Sequence, residues 1–262
     1  MSDDGVSRRL RDVSDALRIA SGNPKNRRTA AIIAAAGSSE RMGTPKLFLR
    51  LAGIPVIVHT FLAYEKSAYI DTTVCVTRPE YTDIIEEFRI KFGLSKLQKI
   101  VTGSDTRQKS IIRGIEALES DVRYVAIADG ARPLTEPRTI DAVCLAAYRH
   151  GAATAAFRAS DTVKITDGSF IESTPDRSLC RLAATPQVFS LGLYRAAAYS
   201  AADDGFEGTD DNQLVERIGA KVAVVECSKN NIKITEPGDI EIAEAILSVR
   251  NGKQNVQDRS GI

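Results

Sequence analysis

After residue 28 the chain alternates short apolar runs with amphipathic stretches of helical period, and this alternation restricts the fold more than any other feature. Strand-like runs fall at Thr29–Ala35, Thr72–Thr77, Lys99–Val101, Tyr124–Ala128, Ala153–Ala159 and Val222–Val225. Helical patterns fall at Val56–Lys66, Tyr81–Phe92, Arg107–Leu118, Thr139–His150, Leu191–Ala202, Asp211–Ile218 and Pro237–Val249. Parallel neighbours need a crossover, and a helix is the usual one, so the pattern predicts βαβ units. The expected class is α/β, with a mainly parallel twisted sheet and helices on both faces. Ligands of such sheets bind beyond the carboxyl ends of the strands. One segment breaks the rhythm. VKITDGSFIEST (Val163–Thr174) has strand-like residues on both sides of Asp167-Gly168, a hairpin turn signal. An inserted hairpin of this kind, spanning about 160–178, is an arm that covers a site or grips a partner; an ordinary edge hairpin is the other reading.

The flanks differ from this main domain at 29–250. Val6, Leu10, Val13 and Leu17 repeat at helical spacing, which predicts a short amphipathic helix, and SGNPKNRR (Ser21–Arg28) reads as a polar linker. Asp3, Asp4, Asp12 and Asp15 argue against a transit peptide. Asn251–Ile262 reads as a frayed polar tail. No apolar run reaches the about 18 residues of a membrane span, so no membrane partner is expected. With 35 basic and 34 acidic residues the net charge is +1, so any basic site is local and general nucleic-acid binding is not expected. Cys75, Cys144, Cys180 and Cys227 lie far apart without a CxxC pair, which fits reduced thiols in the cytoplasm. His59 and His150 have no matching Ser or Cys partner.

The first strand empties into AAAGSSERMGTPK (Ala34–Lys46). Neither the Walker spacing nor GxGxxG is present. The loop still suits an anion. Ala34, Ala35, Ala36 and Gly37 let backbone N–H groups approach phosphate oxygens, while Arg41 adds a rigid fork and Lys46 a mobile point charge.

This loop resembles the G-x-x-x-R-M…P-K signature of the cytidylyltransferases acting on sugar-alcohol phosphates, and most closely the 2-C-methyl-D-erythritol 4-phosphate cytidylyltransferase family. TGSDTRQKSI (Thr102–Ile111), ADGARP (Ala128–Pro133), SDTVK (Ser160–Lys164), TPDR (Thr174–Arg177), ATPQVF (Ala184–Phe189), GTDDNQLVE (Gly208–Glu216) and NIKITEPGDIEIAEAIL (Asn231–Leu247) follow in family order. The likeness covers roughly Thr29 to Arg250 and implies a Rossmann-like nucleotidyltransferase fold.

The resemblance implies an enzyme that joins CTP to an alditol phosphate and releases pyrophosphate. It assigns Arg41, Lys46 and Lys233 to the reacting phosphorus. Mg²⁺ would bridge phosphate oxygens, with Asp129 as the protein carboxylate. Ala35, Ala36 and Gly37 would meet the nucleotide, and Gly103, Ser104, Asp105 and Ser110 the cytosine. Thr162, Arg177, Thr185 and Thr209 would hold the alditol phosphate, with Asp129 and Asp210 at its diol end. The arm from Thr162 to Arg177 would cross to a second subunit, which makes the expected enzyme a homodimer.

Simpler roles exist for several of these residues. Asp129 suits a helix cap, Lys233 an exposed strand edge, Asp105 or Thr106 a cap, Arg132 a structural ion pair and Thr162 a strand. Ser104 stands where many members carry glycine, and is strained if the position needs positive φ. Asn230 stands where several members carry an acidic or basic residue, which argues against a metal role there. The rival function is a ribitol-5-phosphate or related pentitol-phosphate cytidylyltransferase. Those enzymes often read AGG in the first loop and DAVRP later, where this chain has Ala35-Ala36-Gly37 and DGARP. A non-catalytic nucleotide-binding module would be expected to lose Lys46, Lys233 or Asp129, and all are present.

Overall fold

The computed structural model describes residues 27–37 and 45–260, with side chains as far as residue 250. The expected N-terminal helix, most of its linker and Arg41 lie outside the described residues.

Seven strands form one sheet in the order β11-β7-β10-β6-β1-β4-β5. Its centre is β1 (Thr29–Ala35), flanked in parallel by β4 (Thr72–Thr77) and β6 (Tyr124–Asp129), and β5 (Leu97–Thr102) continues it beyond β4. β1, β4 and β6 are buried on both faces because both faces of the sheet are covered. Ala31, Ile33 and Ala35 point into one core, with α1 (Val56–Lys66), α2 (Thr82–Lys91), α4 (Pro137–His150) and the start of α7 (Gly238–Ser260). Ala30 and Ile32 point into the other, with α3 (Arg107–Glu116), α5 (Leu191–Asp203) and α6 (Asp211–Arg217). Full burial of a side chain such as Ile32 or Ile33 contributes about 1.5–3 kcal/mol.

The expected parallel α/β sheet is present, with one strand added. β10 (Arg181–Ser190) runs antiparallel between β6 and β7 (Ala152–Arg158), and β11 (Ala223–Glu226) pairs in parallel with β7. The short β2 (Arg50–Leu51) and β3 (Ile54–Pro55) form a separate hairpin whose turn holds Ala52 at φ 48. His59 anchors it, with Nε2 on the Leu51 carbonyl at 2.8 Å. Burial lowers the His59 pKa against the opposing effect of that bond. The backbone of α7 continues past the expected break at residue 250 as far as Ser260.

The hairpin at Asp167-Gly168 is present as β8 (Ile165–Thr166) and β9 (Ile171–Ser173). Gly168 takes φ +112, and Phe170 N–H donates to Asp167 Oδ1 at 3.1 Å, closing the turn. Lys164 Nζ reaches Thr174 Oγ1 at 2.8 Å, and Arg177 Nη1 reaches the Ser160 carbonyl at 2.7 Å, which tie the two sides together. The arm nevertheless leaves large apolar groups in water: Phe170 is 76% and Leu179 81% exposed.

Candidate active site

A cavity of about 580 Å³ opens where β1, β4, β5 and β6 end, as the sheet class predicts. Ala35, Ala36, Gly37, Lys46, Gly103, Ser104, Asp105, Ser110, Asp129 and Lys233 all line it. These ten residues come from five separate chain segments.

Asp129 is the last residue of β6, and its carboxylate is the electrostatic centre of the site. Lys233 Nζ lies 3.1 Å away, Arg132 Nε 3.2 Å and Arg107 Nε 3.7 Å. Burial would raise the carboxyl pKa, but Lys233, Arg107 and Arg132 outweigh it and hold the group at about 2. It is therefore ionised at neutral pH. Its backbone N–H donates to Thr185 Oγ1 at 3.1 Å, across the irregular pairing of β10 between Ala184 and Gln187. Asp129 does not cap a helix, because α4 begins only at Pro137.

Lys233 is carried on a loop pinned to the ADGARP segment. Ile234 N–H donates to the Ala131 carbonyl at 2.8 Å, and Arg132 Nη1 to the Asn231 carbonyl at 2.7 Å. Buried Asn231 donates to the Thr185 carbonyl at 2.9 Å and accepts from Thr135 Oγ1 at 2.8 Å. Lys233 thus faces the cavity and is not on a strand edge. Arg132 serves as the structural ion pair.

Lys46, which also lines the cavity, opens a short helical turn, Lys46–Phe48. Its charge reaches Asp239 near the start of α7. Asp239 Oδ2 also accepts from Thr235 N and Glu236 N at 2.6 and 2.8 Å. These bonds and Lys46 lower the Asp239 pKa against burial, which acts the other way.

The far end of the cavity is built on close backbone approach. Gly103 N–H donates to the Thr77 carbonyl at 2.7 Å. A Cβ added at Gly103 would lie 2.6 Å from Ala36 Cβ and 3.0 Å from Ser110 Oγ. Gly103→Ala should therefore cost about 1–3 kcal/mol by overpacking and push Ala36 and Ser110 off their positions. Thermal melting and CTP titration check this; an unchanged Tm with unchanged CTP affinity refutes it. Ser110 Oγ accepts from Ser104 N–H at 2.9 Å. Among the described residues only Ala52 is a non-glycine with positive φ, so Ser104 is unstrained. Thr106 caps α3 through Lys109 N–H, which leaves Asp105 to pair with Lys109 at 2.7 Å. Hydrogen bonds from Lys109 and Ser104 hold the Asp105 carboxyl at about 2.

Other expected positions lie away from this cavity. Thr162 and Arg177 are exposed on the arm. Thr185 is buried behind Asp129. Thr209 lies on a second, more open cavity of about 330 Å³ beside Arg181, and its N–H donates to Gln213 Oε1 at 2.9 Å. Asp210 is a helix cap for α6: its carboxylate accepts from Gln213 N, Gln187 Nε2 and Asn212 Nδ2 at 3.0, 2.8 and 2.9 Å.

Two groups that sequence reasoning passed over complete the wall. Arg78 lines the cavity and donates from Nε to the Ala36 carbonyl at 3.2 Å. Arg107 lines it as well, and its Nη2 lies 2.6 Å from the buried carboxylate of Asp211. Burial would lower the Arg107 pKa, but Asp211 and Asp129 outweigh it and raise it. Arg107 belonged to the TGSDTRQKSI segment, but nothing local marks an arginine whose partner is about 100 residues away.

No group of three or more His, Cys, Asp or Glu side chains that could hold a metal occurs among the described residues. One ionised carboxylate, Asp129, lining the cavity fits Mg²⁺, which takes one or two carboxylates and fills its remaining positions with phosphate oxygens and water.

A profile of the family described as IspD, 2-C-methyl-D-erythritol 4-phosphate cytidylyltransferase, matches residues 29–249. The enzyme of that name from Caldanaerobacter subterraneus subsp. tengcongensis is 42% identical over 222 residues, 83% of this chain and 98% of the relative. That from Geobacillus kaustophilus is 40% identical over 222 residues, 84% of this chain and 97% of the relative. The crystal structure of 4-diphosphocytidyl-2C-methyl-D-erythritol synthase from Anaerococcus prevotii superposes with a TM-score of 0.77 at 32% identity, covering 85% of this chain and 97% of that one. With a cavity lined by Lys46, Arg78, Arg107 and Lys233 at the strand ends and these matches along the main domain, this chain belongs to the 2-C-methyl-D-erythritol 4-phosphate cytidylyltransferase family.

Proposed function

We propose that the protein transfers the cytidylyl group of CTP to 2-C-methyl-D-erythritol 4-phosphate, releasing pyrophosphate, in non-mevalonate isoprenoid synthesis. The observation that carries this is the cavity itself, which Lys46 and Lys233 both line and where Asp129 lies among cations. In this reading an oxygen of the alditol phosphate attacks the α-phosphorus of CTP in line. A new P–O bond forms, the bond to the β-phosphate oxygen breaks, and pyrophosphate leaves with its electron pair. The attacking phosphate is already ionised near neutral pH, so no general base is required. The obstacle is repulsion: two unit charges ~4 Å apart oppose each other by ~4 kcal/mol at an effective dielectric of 20.

Lys46 and Lys233, with Arg41, oppose that repulsion where charge accumulates. Asp129 would hold Mg²⁺, which supplies charge neutralisation on the triphosphate. Ala35, Ala36 and Gly37 would meet the nucleotide, and Gly103, Ser104, Asp105 and Ser110 the cytosine. The alditol phosphate would sit against Asp129, Thr185 and Thr209. Thr162 and Arg177 would come from the arm of a second subunit, since in one chain the arm is clear of the cavity and carries exposed apolar groups. That makes the working form a homodimer. Residues 29–250 form the catalytic domain in this reading, flanked by tails at 1–28 and 251–262 and acting in the cytoplasm. No helix among the described residues is long and apolar enough to cross a membrane.

The test is pyrophosphate release by the purified full-length protein from CTP with either 2-C-methyl-D-erythritol 4-phosphate or ribitol 5-phosphate. Turnover with the first, abolished by EDTA and restored by Mg²⁺, is expected. Preference for the second would establish the rival, and full activity in EDTA would remove the metal.

A further inference from the structure

Behind the cavity wall lies a buried polar chain that the reaction as described does not use. Asp211, the first residue of α6, is 1% exposed. One carboxylate oxygen accepts from Tyr194 OH at 2.6 Å, and the other lies 2.6 Å from Arg107 Nη2. Tyr194 is itself wholly buried on α5, its ring 5.2 Å from that of Phe189. Asp211 N–H donates to Gln187 Oε1 at 3.0 Å, which fixes the carboxylate from the backbone side as well. Only Arg107 reaches the cavity, where its Nε lies 3.7 Å from Asp129.

Two carboxylates therefore share one guanidinium, and they share it unequally. Arg107 is the one cation paired with Asp211 among the described residues, and stranding a buried carboxylate is strongly destabilising, so Arg107 is held to Asp211. Lys233 differs: it is a point charge on a flexible stem, 38% exposed, and can leave Asp129 for a phosphate. Arg107 cannot follow without stranding Asp211.

We infer that Tyr194 and Asp211 are positioning residues that pin Arg107 in the cavity wall. Arg107 then keeps the Asp129 carboxylate aimed into the cavity when Lys233 turns to the nucleotide. This rests on the proposed reaction. The arrangement acts on the reacting geometry more than on first encounter with nucleotide, so its loss lowers kcat more than it raises KM for CTP.

The test uses the full-length protein and the variants Tyr194→Phe, Asp211→Asn and Arg107→Lys, with two readouts. The first is the Nε–H resonance of Arg107 in nitrogen-15-labelled protein, assigned by its loss in Arg107→Lys. It should report a rigid side chain in the wild type and a mobile one in Tyr194→Phe. The second is kinetic. Tyr194→Phe keeps the packed ring and removes one hydroxyl, and kcat should fall about tenfold with KM for CTP within about twofold; Asp211→Asn should lose about 10²-fold. In the Arg107→Lys background Tyr194→Phe should cost nothing further.

An active wild type whose Tyr194→Phe variant keeps kcat within about twofold overturns the inference, and so does an equal loss in the Arg107→Lys background. If Asp211→Asn does not fold, Tyr194→Phe still decides. If the wild type releases no pyrophosphate from the two substrates, the proposed reaction fails instead. The resonance then decides the pinning alone, and an unchanged Arg107 signal in Tyr194→Phe overturns it.

Discussion

Lys233→Ala should fold normally and lose about 10²- to 10³-fold in kcat, and Lys46→Ala should lose a similar factor. The fold survives because Asp129 keeps two other cations when Lys233 is cut back: Arg132 at 3.2 Å and Arg107 at 3.7 Å. Its carboxylate remains ionised and paired, so no buried charge is stranded. When Lys46 is truncated, Asp239 keeps its bonds from Thr235 and Glu236. Turnover is a different matter. In the proposed reaction two polyanions meet in this cavity, and Lys46 and Lys233 reach it from separate chain segments, so neither replaces the other. The losses should appear in kcat at saturating CTP and alditol phosphate, with far-ultraviolet circular dichroism unchanged. Near-normal saturated turnover in either folded variant would remove that lysine from the reacting centre.

The parallel half of this fold was legible because its central strands are buried on both faces and read as apolar or β-branched runs, as in AAIIAA, TTVCVT and YVAIA. The antiparallel β10 was not. Its first residues are charged or exposed and a proline interrupts it, so ATPQVF reads as a motif and its place between β6 and β7 depends on pairing with distant partners. The same division holds in the site. Glycine and small residues at a strand end, with Lys46 beyond them, announce an anion loop from local sequence alone. Asp210 and Asp211 show the limit. Adjacent carboxylates look alike in GTDD, yet one caps its own helix and the other supports Arg107 from inside the wall. Only the direction of the chain at the start of α6 separates them.

The arm yields the other large effect, and it takes the form of a recovery. Arg177 lies on the exposed arm of its own chain and does not line the cavity that holds Lys46. Its one recorded side-chain bond, to the Ser160 carbonyl at 2.7 Å, braces the arm's base and leaves the rest of the guanidinium fork available for a bidentate hold on phosphate. If the arm of one subunit completes the cavity of the other, every site draws Lys46 and Arg177 from different chains. Lys46→Ala and Arg177→Ala homodimers should then both be nearly inactive. A mixed dimer would contain one doubly damaged site and one intact site. Random re-pairing of equal amounts makes about half of the dimers mixed, so activity should return to about a quarter of wild type. The experiment unfolds and refolds the two variants together, with different tags on the two chains to confirm exchange, and follows pyrophosphate release. Exchange without recovery would place Arg177 in its own subunit's site or outside any site, and the apolar surface of Phe170 and Leu179 would then need a different partner.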